Sequence, residues 1–393
     1  MRGKLLTFGH GLVVLVSIVA IGYLNFVLIR FWFTGEFNQN LASIEISYIQ
    51  MAKFWVESGP AGWQPLWYLG YPWHVFYTPM LPALEVLANR LLDLSFAGAY
   101  RVITGAGFVL VPISLYFFVW QIAKSKTGAL AAALAYSFVP SIIAVLFSEV
   151  AADTLSALPE PRRFAILVRW GEGPHTIALV FLPLFGLFLS RFLAARRLRD
   201  MLAASLFLAL VAMTSALVIW PALLLVVALV LGEMTQKSVD LVGLAKRILA
   251  LMILTLGLLA FWYNFPFVTT FFREGGGPLA NWLAMLPWGL IVFFGVVFLI
   301  FILVKAITQR LVGAAVAVFW FLMLFAIVFV YYASGSNQLE YVPQALRLNT
   351  EVDLALAVLV GVLISNLYSF LLKFPGRLQV LGMVAAALVF ILP

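Results

Sequence analysis

The sequence predicts an all-α, polytopic membrane protein with about eleven transmembrane helices and further helices lying at the membrane surface. Three observations carry this. Hydrophobic residues make up 64% of the 393-residue chain and charged residues only 10%, a balance foreign to soluble domains. Apolar runs of about 17–25 residues recur along the chain, the length needed to cross a hydrocarbon core of roughly 30 Å. The runs are continuous and do not alternate, which argues against a transmembrane barrel.

The first run, 8–30, follows Arg2 and Lys4 and has no small-residue cleavage motif, so it reads as a retained first helix. The other candidate spans are 97–122, 128–148, 173–194, 199–214, 216–233, 246–270, 284–305, 311–333, 352–372 and 377–393. Between the first two spans lies the segment 31–96. Within it "NLASIEISYIQMAKFWVE" places Glu45 in a helical apolar pattern. The stretch "GWQPLWYLGYPWHVFYTPMLP" (62–82) then crowds aromatics around a Gly70–Tyr71–Pro72 turn. Such aromatics suit the headgroup level, yet a simple aromatic belt does not require an ordered turn leading into a helix. The segment 79–94 carries Glu85, Arg90 and Asp93. It is short and costly to bury in lipid, and reads as an amphipathic helix in the interface.

Charge sets the orientation. With 79–94 not crossing and the N-terminus inside, the inner loops collect fifteen of the 24 basic residues, among them Lys124, Lys126 and the run Arg191–Arg199. Only Asp200, Glu233 and Asp240 of the acids lie with them. Letting 79–94 cross would move those basic loops outside, against the positive-inside rule. The chain therefore reads as one transmembrane domain, 1–393, in a cell membrane, with a cytoplasmic N-terminus. Its extracytoplasmic face carries the large segments 31–96 and 149–172 and the smaller ones 271–283 and 334–351. The last apolar run points outward at Pro393 and leaves room for an outer C-terminal domain beyond it.

Several function classes drop out. There is no cysteine, so disulfides, thiolate metal sites and cysteine nucleophiles are absent. The net charge of +8 belongs to basic inner loops rather than to a nucleic-acid surface. Three histidines are too few for a His-rich zinc site. No internal repeat is strong enough to support an inverted-repeat transporter, and few ionisable residues lie at mid-membrane depth.

The chemistry-bearing residues gather outside. Glu45 is either a general base, which needs a partly desolvated cleft, or a capping carboxylate on an interfacial helix. The densest outer charge cluster holds Glu149, Asp153, Glu160, Arg162, Arg163, Arg169, Glu172 and His175. Oxygen ligands there suit Mg²⁺ or Mn²⁺, which makes Asp153, Glu172 and His175 candidate ligands of a divalent cation. Each has a plain alternative: a solvated loop for Asp153, a helix-dipole partner for Glu172, a hydrogen-bonded interface for His175. Glu172 and His175 stand three apart at a helix start, so one face carries both. Arg347 is either a phosphate clamp or the ion-pair partner of Glu351 at i, i+4. Arg163 and its neighbour Arg162 are weaker phosphate candidates, with lipid headgroups as the alternative. "REGGGPL" (273–279) is a flexible turn on the same side and no Walker motif.

Three pieces of the chain, in order, resemble the GT-C superfamily of integral membrane glycosyltransferases. They are Glu45 followed by "WYLGYPWHVFYTPMLP", then "RWGEGPHTIALVFLPL" (169–184), then "VPQALRLNTEVDLALAVL" (342–359). The likeness is nearest to uncharacterised prokaryotic members. It implies a polyprenyl-phosphate-linked sugar donor, transfer to an acceptor on the outer face, and a divalent cation (Mg or Mn). It implies Glu45 as base or metal orienter, where the family usually has aspartate. Arg347 would bind donor phosphate. Trp67, Tyr71, His74 and Tyr77 would order the cleft and meet the sugar. Expected partners are the donor, membrane lipids and protein subunits of a larger membrane complex. Two other readings stay open: a non-catalytic subunit keeping the GT-C scaffold, and a transporter.

Overall fold

A computed structural model describes the chain apart from residues 1, 38–39, 41–42, 61–62, 65–69, 73–76, 152–159, 237, 271–287, 306–311, 338 and 373–393. The described part is helical throughout, save one antiparallel pairing of Trp63–Gln64 with Tyr71–Pro72.

In chain order the helices are α1 (Arg2–Ile29), α2 (Glu45–Ser58), α3 (Met80–Leu92), α4 (Phe96–Ala123), α5 (Lys126–Phe138), α6 (Ile142–Leu146), α7 (Ser148–Ala151) and α8 (Arg162–Val168). They continue as α9 (Gly173–Ala195), α10 (Leu198–Thr214), α11 (Ile219–Met234), α12 (Leu241–Leu259), α13 (Phe265–Thr270), α14 (Trp288–Lys305), α15 (Val312–Ala333) and α16 (Asn349–Leu371). Among the described residues, six helices are long and apolar enough to cross a membrane: Gly11–Phe33, Phe96–Ala123, Gly173–Ala195, Leu241–Leu259, Val312–Ala333 and Ala345–Leu371. Ile219–Met234 is a shorter apolar helix. The candidate span 377–393 lies outside the described residues.

Side-chain caps and a proline explain several boundaries. The Ser95 hydroxyl accepts from the Gly98 N–H at 3.0 Å to start α4, and Ser125 does the same for α5 from Gly128 at 3.1 Å. The predicted span 128–148 is broken. Val139 is extended, as the residue before Pro140 prefers, and short helices follow in place of one continuous crossing. Where α5 meets α16 the backbones touch. A Cβ on Gly128 would lie 2.4 Å from the Gly361 carbonyl, and one on Gly361 2.6 Å from the Gly128 carbonyl. Small residues permit this approach where lipid supplies no hydrophobic drive.

The core is built on α4 and α9 packed together, with α5, α10, α11, α15 and α16 around them. By contrast, α1 and α12 leave most of their apolar surface open, as at Leu15 (58%) and Leu249 (60%). Apolar faces of that size fit contact with hydrocarbon chains and a membrane-embedded protein. α3 lies over α2 and α4. It buries Leu81, Pro82, Glu85 and Val86 and exposes Leu87, Leu91 and Leu92.

Candidate functional site

α9 and α16 begin side by side and are tied by two rungs. In the first, Arg347 Nη1 donates to Glu172 Oε1 at 2.9 Å. In the second, His175 Nε2 stands 2.8 Å from Glu351 Oε1. The Thr350 hydroxyl supports that rung, donating to Glu351 Oε2 at 2.8 Å and lying 3.1 Å from His175 Nε2. Spacings of i, i+3 on one helix and i, i+4 on the other place both pairs on facing stripes. The second rung is buried. The first is partly open, with the Arg347 side chain 44% exposed and Glu172 13%. Arg347 therefore takes Glu172, not Glu351, as its partner.

The start of α2 is clamped onto the turn before α9. The Ile44 N–H donates to the Trp170 carbonyl at 2.9 Å, and the Tyr100 hydroxyl to the Gly171 carbonyl at 2.6 Å. Gly171 has φ +66°, and a Cβ there would fall 2.4 Å from Ser43 Oγ and 2.7 Å from the Glu45 nitrogen. Only glycine suits that position.

This clamp fixes Glu45 beside Glu172. The Glu45 carboxylate, 1% exposed, accepts from Arg101 Nη2 at 3.1 Å. The guanidinium lies over the Trp32 ring at 3.7 Å, and the Trp32 indole N–H donates to Thr104 at 3.0 Å. One turn along α2, the Tyr48 phenol hydrogen-bonds Glu172; burial first, then the charge of Glu172, pushes its pKa up. Glu45, Tyr48, Glu85 and Glu172 all stand within electrostatic reach of Tyr100. Glu85 is fully buried, neither of its oxygens has a hydrogen-bond partner among the described residues, and burial holds its carboxyl well above the usual range. Chain segments near residues 45, 85, 172 and 347 thus form one acidic cluster answered by Arg101 and Arg347.

No family model matches the chain, and no curated protein matches it either. The site is read on its own geometry.

Of the residues singled out in the sequence, Glu45, Glu172, His175 and Arg347 come together. Arg163 does not join them. It is 5% exposed and donates to the Phe108 carbonyl at 3.0 Å and to the Asn25 side chain. The Phe108 and Tyr136 rings flank it at 3.8 and 5.1 Å, and burial lowers its pKa to about 10. Tyr77 belongs to an aromatic cluster with Trp55, Trp262, Tyr263 and Phe267, and its carbonyl accepts from the Trp262 indole at 2.9 Å. Only the backbone of Tyr71 is described. Trp67, His74, Asp153 and the glycine turn 273–279 lie outside the described residues.

Two of the three candidate cation ligands are already engaged. Glu172 is already neutralised by Arg347, and His175 faces Glu351. Among the described residues no group of three or more His, Asp or Glu is placed to hold a metal ion.

Sequence reasoning missed Arg101, Tyr48, Thr350 and the burial of Glu85. Arg101 did carry a signal, being an ionisable residue inside an apolar run, and such residues face a protein interior or a partner by default.

Proposed function

We propose that this chain is an integral membrane glycosyltransferase of the GT-C type, moving a sugar from a polyprenyl-phosphate-linked donor to a hydroxyl acceptor on the extracytoplasmic face. The single observation that carries this reading is the meeting of Glu45, Glu172 and Arg347, from three distant segments, at one end of the helix bundle. Arg347 is half-open and held by one exchangeable carboxylate, so a donor phosphate can replace Glu172 on it. Glu45 faces Arg101 and is the base of the reaction. The acceptor oxygen attacks the anomeric carbon, the carbon–oxygen bond to the phosphate breaks, the carboxylate takes the hydroxyl proton, and the lipid phosphate leaves on Arg347. Inversion at the anomeric carbon follows from a single displacement.

The test is transfer of a labelled sugar from polyprenyl-phosphate donors by the purified full chain, beside Glu45→Gln and Arg347→Ala. Both variants lose transfer by at least about a hundredfold, the size of a lost base or charge clamp. A wild type that binds donor but transfers to no acceptor sinks the reading.

One observation favours a second reading, a non-catalytic GT-C-like subunit of a larger complex. Glu45 is 1% exposed and already paired, as a structural carboxylate would be. Donor binding without transfer, together with co-purifying subunits, is its signature.

The proposed topology has eleven spans, a cytoplasmic N-terminus and the ladder between α9 and α16 outside. Because the chain has no cysteine, single cysteines at Asn337 and Gln236 report sidedness directly. Labelling of Asn337→Cys by an impermeant maleimide only from the cytoplasmic side rules this orientation out.

A further inference from the structure

A cavity of about 210 Å³ lies between α5, α8 and α16, apart from the ladder between α9 and α16. Tyr136, Val139 and Leu356 give it apolar walls, and Arg162, Arg163 and Asp353 line it as well. Both arginines are more than nine-tenths buried. Asp353 is engaged by the Ser141 hydroxyl at 3.0 Å and the Ile142 N–H at 3.2 Å, and Arg162 stands within electrostatic reach of it. Arg163 has neutral partners, the Asn25 side chain and the Phe108 carbonyl, and no carboxylate among the described residues pairs with it. The cavity therefore holds two cations against one carboxylate.

An ionisable side chain buried in a membrane protein is by default a candidate functional site. The surroundings of the cavity narrow the choice of ligand. Val139, which lines it, is 49% exposed, and nearby in the chain Phe138 on α5 and Leu363 on α16 are 42% and 56% exposed. The cavity thus adjoins apolar side chains of the kind that face lipid. A free inorganic anion would have to pass that apolar surface, whereas a lipid arrives by sideways diffusion with its anion attached.

We propose that this cavity binds an anionic phospholipid from the surrounding bilayer, its phosphate on Arg162 and Arg163 and one acyl chain along Val139, Leu356 and Leu363. Arginine suits a phosphodiester by paired donors, and the lining offers two of them. The site is independent of sugar transfer, and either can fail while the other stands.

The experiment is native mass spectrometry of the full chain released from lipid nanodiscs, loaded in turn with phosphatidylglycerol, phosphatidylcholine and a polyprenyl phosphate. One phosphatidylglycerol per chain stays bound, preferred at least tenfold over phosphatidylcholine. Arg163→Gln lowers retention at least tenfold. That variant removes a cation held by Asn25 and Phe108 and can fail to fold, so Leu356→Trp, which fills the cavity and keeps both arginines, is the companion and gives the same loss. Equal retention of phosphatidylglycerol and phosphatidylcholine overturns the proposal, as does undiminished retention in Leu356→Trp. Retention of the polyprenyl phosphate with none of phosphatidylglycerol overturns it too, and gives the cavity to the sugar donor.

Discussion

Glu45 and Arg101 form an ion pair at 3.1 Å with both side chains almost wholly out of solvent. A buried pair adds little compared with two apolar residues, but breaking one leaves a charge stranded. Glu45→Ala or Arg101→Ala should each cost about 3–5 kcal/mol, read as thermal unfolding of the detergent-solubilised protein. Glu45→Leu combined with Arg101→Met should recover most of that loss. Single variants as stable as the wild type would mean that the pair opens freely and that Glu45 has no structural duty.

The clamp between α2 and α9 depends on one glycine. Gly171 sits at φ +66° with Ser43 Oγ and the Glu45 nitrogen where a Cβ would go. Alanine there pays about 1–2 kcal/mol for the left-handed backbone alone, and the contact adds to it. Gly171→Ala should therefore lower stability by more than that amount, and speed hydrogen exchange at Ile44 and Glu45 before the rest of α2. Unchanged exchange at those two amides would show that the turn does not hold the helix start.

Glu85 predicts an unusual pH slope. Burial raises its folded-state pKa, and from α4 the Tyr100 phenol stands within its reach. With the folded pKa above the unfolded one, the folded state binds the proton more tightly. The stabilisation is complete below the ordinary carboxylate value of about 4.3 and is lost as pH rises from there to the raised value. At pH 8 Glu85→Gln should be more stable than wild type, because the wild type loses about 1.4 kcal/mol per pH unit between the ordinary and the raised value and the neutral amide does not. Its stability should also vary less with pH across that window. Parallel pH profiles for the two proteins would place a partner on Glu85.

Much of the fold was legible because spanning length is a local property. The run 97–122 became Phe96–Ala123, 173–194 became Gly173–Ala195, and 311–333 became Val312–Ala333. The break at Val139–Pro140 was not legible, since an apolar window hides one proline. Half of the candidate site was legible too. Glu45, Glu172, His175 and Arg347 stood out as charges flanking apolar runs. Their pairings did not, because Glu172 finds Arg347 across 175 residues and sequence spacing favours the nearer Glu351. Arg101 escaped notice inside the run that carries it, and Glu85 was read as a reason to keep α3 out of lipid when it is the residue that α3 turns inward.

Arg347 separates a binding role from a structural one more cleanly than any other residue of the cluster. Its side chain is 44% exposed and among the described residues its side-chain partner is Glu172, so solvent screens most of the attraction. Exposed pairs of this kind are worth about 0–1 kcal/mol, and Arg347→Ala should shift unfolding by no more than that. Affinity for a polyprenyl phosphate should fall at least about tenfold, since a charged hydrogen bond to phosphate is worth roughly 1.5–3 kcal/mol. Arg347→Lys keeps the charge but loses the planar fork, and should recover only part of that affinity. Raising salt should weaken the wild type toward the alanine variant, because the open rung is screened where the buried His175–Glu351 rung is not. Titration of each variant with the lipid at two salt concentrations reads all of this. An Arg347→Ala protein that binds as tightly as the wild type removes the guanidinium from the site, whatever becomes of the transfer reaction.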